Sequence, residues 1–81
     1  MLKKIPTPIL ITGAKGFIGS NLLRRLIHKG YETNIIVRTK DNCWRIEDIL
    51  NKTNIFFEDL NNFKLINKII NKLKPKTIFH L

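Results

Sequence analysis

The apolar positions of this chain alternate between short unbroken runs and a helical spacing. Pro8 to Thr12 holds the run Ile9-Leu10-Ile11 between a proline and a glycine, the pattern of a buried parallel strand. From Phe17 to Lys29 the period lengthens. Ile18, Leu22, Leu23, Leu26 and Ile27 fall on one helical stripe, with Asn21, Arg24, Arg25 and His28 facing elsewhere. Gly30 follows the last periodic residue, where a left-handed terminating position favours glycine, and Lys29 suits the negative end of the helix dipole. Thr33 to Arg38 carries the β-branched run Ile35-Ile36-Val37 and predicts a second strand. A polar stretch, Thr39 to Asn42, leads into a predicted short helix from about Cys43 to Leu50. Ile55-Phe56-Phe57 predicts a third strand. Phe63, Ile66, Ile69, Ile70 and Leu73 recur at helical spacing, giving an amphipathic helix over Asn62 to Leu73 that Pro75 keeps from continuing. Thr77-Ile78-Phe79-His80-Leu81 predicts a fourth strand.

Strands alternating with helices place the chain in the α/β class: a Rossmann-type parallel sheet of about four strands with flanking helices. Right-handed crossovers and the reversal typical of this architecture predict the order 3-2-1-4, with a ligand crevice between the first and fourth strands. No helix follows the fourth strand within these residues, so Ile78 or Phe79 is expected to stay partly exposed.

Composition changes this picture little. The chain has 81 residues, 43% of them hydrophobic, and a formal charge of +9 from 15 basic and 6 acidic residues. Such a balance invites a nucleic-acid reading. The cations are scattered, however, with no run longer than the pairs Lys3-Lys4 and Arg24-Arg25, and Asn and Ile are enriched with them. No specific nucleic-acid partner is expected, since net charge alone speaks to solubility and non-specific binding. Cys43 is the single cysteine, so no intrachain disulfide forms, and no Cys/His set suggests a metal. No apolar stretch is long enough for a signal segment or a membrane span. The expectation is a cytoplasmic protein with no membrane partner.

The chemistry lies in Thr12-Gly13-Ala14-Lys15-Gly16-Phe17-Ile18-Gly19. Three glycines at three-residue spacing stand between a predicted strand and a predicted helix, the context that a dinucleotide fingerprint requires. Gly13 allows the tight turn out of the strand, Gly16 lets the backbone approach a pyrophosphate, and Gly19 lets the helix pack close to the sheet. The N–H groups of the first helical turn, those of Phe17 and Ile18 among them, then face the phosphates at the positive end of the helix dipole. A P-loop is excluded by its residues: Gly19 is followed by Ser20 with no lysine between, and Gly13 lies one position too far back. The end of the second strand normally reads the ribose, an acid binding the 2′-hydroxyl and an arginine accommodating a 2′-phosphate. Arg38 tilts the choice from NAD towards NADP, with Asp41 as the alternative that would favour NAD.

The chain resembles the extended short-chain dehydrogenase/reductase family, in particular NAD-dependent epimerases and dehydratases of nucleotide sugars. The resemblance rests on the glycine-rich segment, on Phe57-Glu58-Asp59-Leu60 and on Lys74-Pro75-Lys76-Thr77-Ile78-Phe79-His80-Leu81, and it spans nearly the whole chain. It implies that Asp59 hydrogen-bonds the adenine amino group and that Leu60 lines the adenine pocket. The alternative for Asp59 is a cap on the following helix. Cys43-Trp44-Arg45-Ile46-Glu47 looks like some nucleotide-sugar members, although packing of Trp44 against Ile46 or Ile49 is the preferred reading. His28 reads as solvated and His80 as a satisfied core histidine.

The resemblance also implies catalysis by Ser or Thr with a Tyr-x-x-x-Lys pair, the tyrosine acting as acid or base. Tyr31 is the only tyrosine, and Ile35 stands four residues later. These residues are therefore expected to be the N-terminal portion, 1–81, of an NAD(P)-binding domain, without catalytic residues or a substrate domain, as in a truncated product. A nucleotide-sugar substrate is expected only where a full-length domain exists, and the oligomeric state is left open. The alternative is a non-catalytic dinucleotide-binding or remnant module.

Overall fold

The computed structural model describes residues 4–81, so Lys3 of the Lys3-Lys4 pair lies outside the described residues. The first apolar run forms β1, Ile9–Thr12, and all four of its residues are buried, which places it in the sheet interior. β2, Thr33–Val37, is also buried throughout and pairs with β1 in parallel, Ile9 opposite Thr33. β3, Asn54–Phe57, joins the outer side of β2, and β4, Thr77–His80, joins the free side of β1. The sheet order is β3-β2-β1-β4, as the crossover argument predicts. The two edge strands are only partly covered, and Ile78 is 49% exposed.

Helix α1, Phe17–His28, links β1 to β2, and α2, Phe63–Leu73, links β3 to β4. One sheet face, carrying Ile9, Ile11, Ile35 and Val37, closes against Leu23 and Leu26 of α1 and against Cys43, Ile46 and Ile49. The other face buries Leu10 and Ile36. The crossover from β3 to β4 runs in the opposite direction and lays α2 over that face. There Ile66, Ile69, Ile70 and Leu73 are half-buried and none of the helix is fully buried.

Two elements differ from the sequence reading. The buried residues of α1 are Gly19, Ser20, Leu23 and Leu26, while Ile18 is 69% exposed. Gly19 seats the helix on its own side, and this rotates Ile18 out of the predicted stripe. The predicted helix from Cys43 to Leu50 is instead a 3₁₀ segment, Glu47–Lys52. The segment that leads into it turns on Asn42, which holds a left-handed φ of 59°, and on the bond from Ile46 N–H to the Cys43 carbonyl. The Ile49 N–H then bonds the Ile46 carbonyl at 2.9 Å. A three-residue repeat brings the i and i+3 side chains onto one side, and Ile46 and Ile49 are the pair buried here.

A two-pronged ion pair ties this segment to α1. Arg24 donates to both carboxylate oxygens of Asp48 at 2.7 and 2.9 Å, and also to the Arg45 carbonyl. Hydrogen bonding to Arg24 holds the Asp48 carboxyl below its usual range and raises the Arg24 guanidinium in turn. A carboxylate whose pKa is lowered by folding stabilises the fold above its unfolded value, and that contribution is lost as the pH falls through the folded value. Asp48→Asn is expected to melt below the wild type at neutral pH, with the gap closing at pH below the usual carboxylate range. Thermal melts across that range check this; a gap that does not change with pH contradicts it.

Candidate functional site

The carboxyl end of β1 runs directly into the glycine-rich turn. Gly13 has φ +78°, a left-handed conformation that side chains disfavour. A Cβ there would also lie 2.6 Å from the carbonyl oxygen of Leu81, just past β4. Gly16 closes the turn by donating to the Gly13 carbonyl at 3.1 Å and then precedes α1, whose Ser20 N–H bonds the Gly16 carbonyl. A Cβ on Gly19 would overlap the Gly13 carbonyl oxygen and crowd Ala14. The close approach that Gly19 permits is therefore to the turn itself, and not to the body of the sheet. Gly16 differs: its φ is −75°, and a Cβ would meet only the Gly13 oxygen at an ordinary 3.5 Å. No side chain caps α1 at Gly16 and no acid stands in its first turn. The N–H groups at this helix end, those of Phe17 and Ile18 included, are thus disposed towards an anion.

A cavity of about 240 Å³ lies beside this turn at the carboxyl ends of β1, β2 and β3. Gly13, Lys15, Arg38, Glu58, Asp59 and Leu60 are among its walls. Gly13, Arg38, Asp59 and Leu60 therefore share one cavity, while Gly16, Phe17, Ile18 and Gly19 stand next to it on the turn and the start of α1. Phe17 and Ile18 are 70% and 69% exposed. The Glu58 N–H bonds the Val37 carbonyl and so carries β3 beside β2 up to the rim. At the rim the Arg38 Nε lies 3.7 Å from an Asp59 oxygen.

Several sequence readings are corrected by this geometry. Asp59 does not cap α2. Its carboxylate accepts from the Asn61 N–H at 2.9 Å, and Asn62 is the residue that caps, accepting from the Leu65 N–H. Asp41 does not line the cavity with Arg38; it borders a separate outer cleft with Lys40, Asn42 and Trp44. Trp44 does not pack into the core. It is 67% exposed, and the Arg45 guanidinium stacks 4.2 Å from its ring. His80 is exposed and not a core residue, because it lies on an edge strand, and its Nδ1 hydrogen-bonds the Thr12 hydroxyl at 2.6 Å. His28 is exposed, as expected.

No role for Lys15 is read from the sequence. Its ammonium donates to the carbonyls of Thr39 and Asp41 at 3.3 and 2.7 Å. No periodicity marks such a contact; a long cation inside a turn of small residues is the only signal.

A larger cavity, about 880 Å³, opens at the other end of the sheet among Tyr31, Glu32, Asn34, Asn54 and Leu73. Its size does not make it the site. Asn34 donates to the Ile9 carbonyl and accepts from Asn54, so its buried amide is already used within the fold. Among the described residues no three His, Cys, Asp or Glu side chains cluster for a metal, and no helix is long and apolar enough to cross a membrane.

The sequence model of the family described as GDP-mannose 4,6 dehydratase matches residues 10–81. The human GDP-mannose 4,6 dehydratase is 38% identical over 82 residues, a match covering 89% of this chain and 22% of the human protein. Among solved structures, the UDP-Glc/GlcNAc 4-epimerase of Campylobacter jejuni superposes with a TM-score of 0.79 and 28% identity. That match covers 90% of this chain and 23% of the epimerase. The Bordetella bronchiseptica enzyme WbmG, solved in complex with NAD, has the same fold: TM-score 0.75, 23% identity, 90% of this chain and 24% of that one. The chain thus spans less than a quarter of the length of each of these relatives.

The glycine geometry predicts unequal tolerance. Gly19→Ala should cost about 2 kcal/mol or more, since a rigid backbone oxygen occupies the new methyl position. Gly16→Ala should cost about 1 kcal/mol at most, the price of a poorer helix cap. Urea melts of the two variants read the difference, and equal losses would contradict the assignment.

Proposed function

The chain belongs to the GDP-mannose 4,6-dehydratase family, within the extended short-chain dehydrogenase/reductases, and from that membership we propose that it binds a nicotinamide dinucleotide. The glycine-rich turn takes the pyrophosphate, with the N–H groups of Phe17 and Ile18 donating to it. The adenosine end takes the cavity between Arg38, Asp59 and Leu60. The observation that carries this reading is Gly16. Neither its φ nor its surroundings require a glycine, so the missing side chain serves a group that must approach the backbone from outside.

Each remaining residue has a part set by its chemistry. Asp59 offers a carboxylate to the adenine amino group, and Leu60, 40% exposed, offers an apolar wall. Arg38 offers a guanidinium to a 2′-phosphate, which favours NADP over NAD. Its neighbour Asp59 keeps that guanidinium at the rim before any ligand arrives. When bound, a nicotinamide dinucleotide supplies hydride transfer. These 81 residues supply binding and orientation. Proton transfer is not assigned to them, because the one tyrosine, Tyr31, lies at the other end of the sheet, where its hydroxyl accepts from the Ile5 N–H at 3.0 Å. That placement favours dinucleotide binding as the role of this segment. The nucleotide-sugar chemistry, where it occurs, is assigned to residues other than these 81.

Calorimetric titration with NAD and NADP tests the proposal. Gly16→Val is expected to abolish binding of both while lowering the melting temperature by about 4–8 °C, the equivalent of about 1 kcal/mol. Arg38→Ala should weaken NADP about tenfold and leave NAD almost untouched, the low end for a charge-assisted contact, because Arg38 is well exposed. A wild type that prefers NAD would remove Arg38 from the specificity reading. A Gly16→Val variant that still binds would overturn the site.

A further inference from the structure

Arg38 lines the cavity and the segment Thr39 to Asn42 leads on from it outside, and none of the side chains from Arg38 to Asn42 is buried. Hydrophobic packing therefore does not hold it until Cys43 and Ile46 enter the core. Its position depends on polar ties, and those converge on the glycine-rich turn. The half-buried Lys15 reaches out of the turn and donates to the carbonyls of Thr39 and Asp41. In the reverse direction, the Arg45 guanidinium donates to the Lys15 carbonyl at 3.3 Å. The Cys43 thiol lies 3.7 and 3.9 Å from the same two carbonyls, so the loop folds both of them inward around the ammonium. Asn42, at φ 59°, makes that inward fold possible.

We infer that Lys15 is a positioning residue: by gripping the Thr39 and Asp41 carbonyls it ties the loop 39–45 and the glycine-rich turn to one another and so holds the turn in place for a pyrophosphate. This rests on the reading of the cavity as a dinucleotide site. Lys15 stands between Gly13 and Gly16, and with Arg45 on its carbonyl the loop and the turn hold each other from both sides. The gain is preorganisation: a loop already ordered loses less entropy when a ligand binds. The grip acts on the loop and not on the ligand, so it serves NAD and NADP alike. That separates it from a lysine bonded directly to a 2′-phosphate, which would serve NADP alone.

The test compares the 81-residue chain with its Lys15→Met and Lys15→Arg variants, using amide hydrogen exchange without ligand and titration with NAD and NADP. In Lys15→Met the Asp41 and Ile46 amides are expected to exchange about tenfold faster, as a locally opened loop does. Amides of α1 and β1 should keep their protection, which shows that the variant is folded. Its affinities for NAD and NADP should fall together, by about tenfold, the loss expected for a charge-assisted contact. The loss should persist in molar salt, where a through-space charge effect is screened. Lys15→Arg, which can donate to both carbonyls, should restore exchange and affinity. Unchanged exchange in Lys15→Met would overturn the inference, as would a loss confined to NADP. A wild type that binds neither dinucleotide would overturn the dinucleotide reading instead, and exchange in the free protein would still decide whether the grip exists.

Discussion

The first turn of α1 touches the turn at Gly13 backbone to backbone, and the rest of the arrangement depends on that contact. Because Gly19 has no side chain, the helix can approach the Gly13 carbonyl and Ala14. Its axis is then seated so that Leu23 and Leu26 meet Ile9, Ile11, Ile35 and Val37. The same seating directs the helix N-terminus, uncapped by any side chain, along the carboxyl edge of the sheet. Packing and binding geometry thus share one cause. A methyl group at position 19 would disturb both, whereas one at position 16 would disturb chiefly the space outside the chain.

The two faces of the sheet are held unequally. The α1 face is closed by a continuous cluster, strengthened by the Arg24–Asp48 clamp and the buried pair Ile46 and Ile49. The α2 face buries Leu10 and Ile36 but leaves α2 itself only half-covered, with Phe63 74% exposed. The glycine-rich turn stands on the well-held side, where β1 passes into α1. The loop after β2 is little supported by packing, and polar ties to Lys15 take over there.

The strands, their order and the glycine-rich turn were legible because each leaves a periodic or steric signature. Ile35-Ile36-Val37 can only be a buried strand here, and three glycines between a strand and a helix constrain the turn. Boundaries in the polar stretch after β2 were not legible. A 3₁₀ segment shares the i, i+3 pairing of Ile46 and Ile49 with an α-helix, so the spacing does not separate the two outcomes. Packing of Trp44 against Ile46 or Ile49 is the preferred sequence reading, although an exposed ring can instead be covered by a guanidinium, as Arg45 covers it. Lys15 and the approach of Leu81 to Gly13 were invisible because they join positions far apart in sequence by single polar or backbone contacts. The nearness of Arg38 and Asp59 follows from the parallel pairing of β2 and β3, which the predicted strand order already implies.

The central claim is that ligand binding occurs at the glycine-rich carboxyl edge and not in the larger cavity at the opposite edge of the sheet. Amide chemical shifts of the 81-residue chain during titration with NAD and NADP locate the site directly. The account predicts saturable shifts at Gly13 to Gly19, Arg38, Asp59 and Leu60, with Tyr31, Glu32, Asn34 and Asn54 unmoved. Shifts centred on the latter group, or spread along the lysines without saturation, would contradict it.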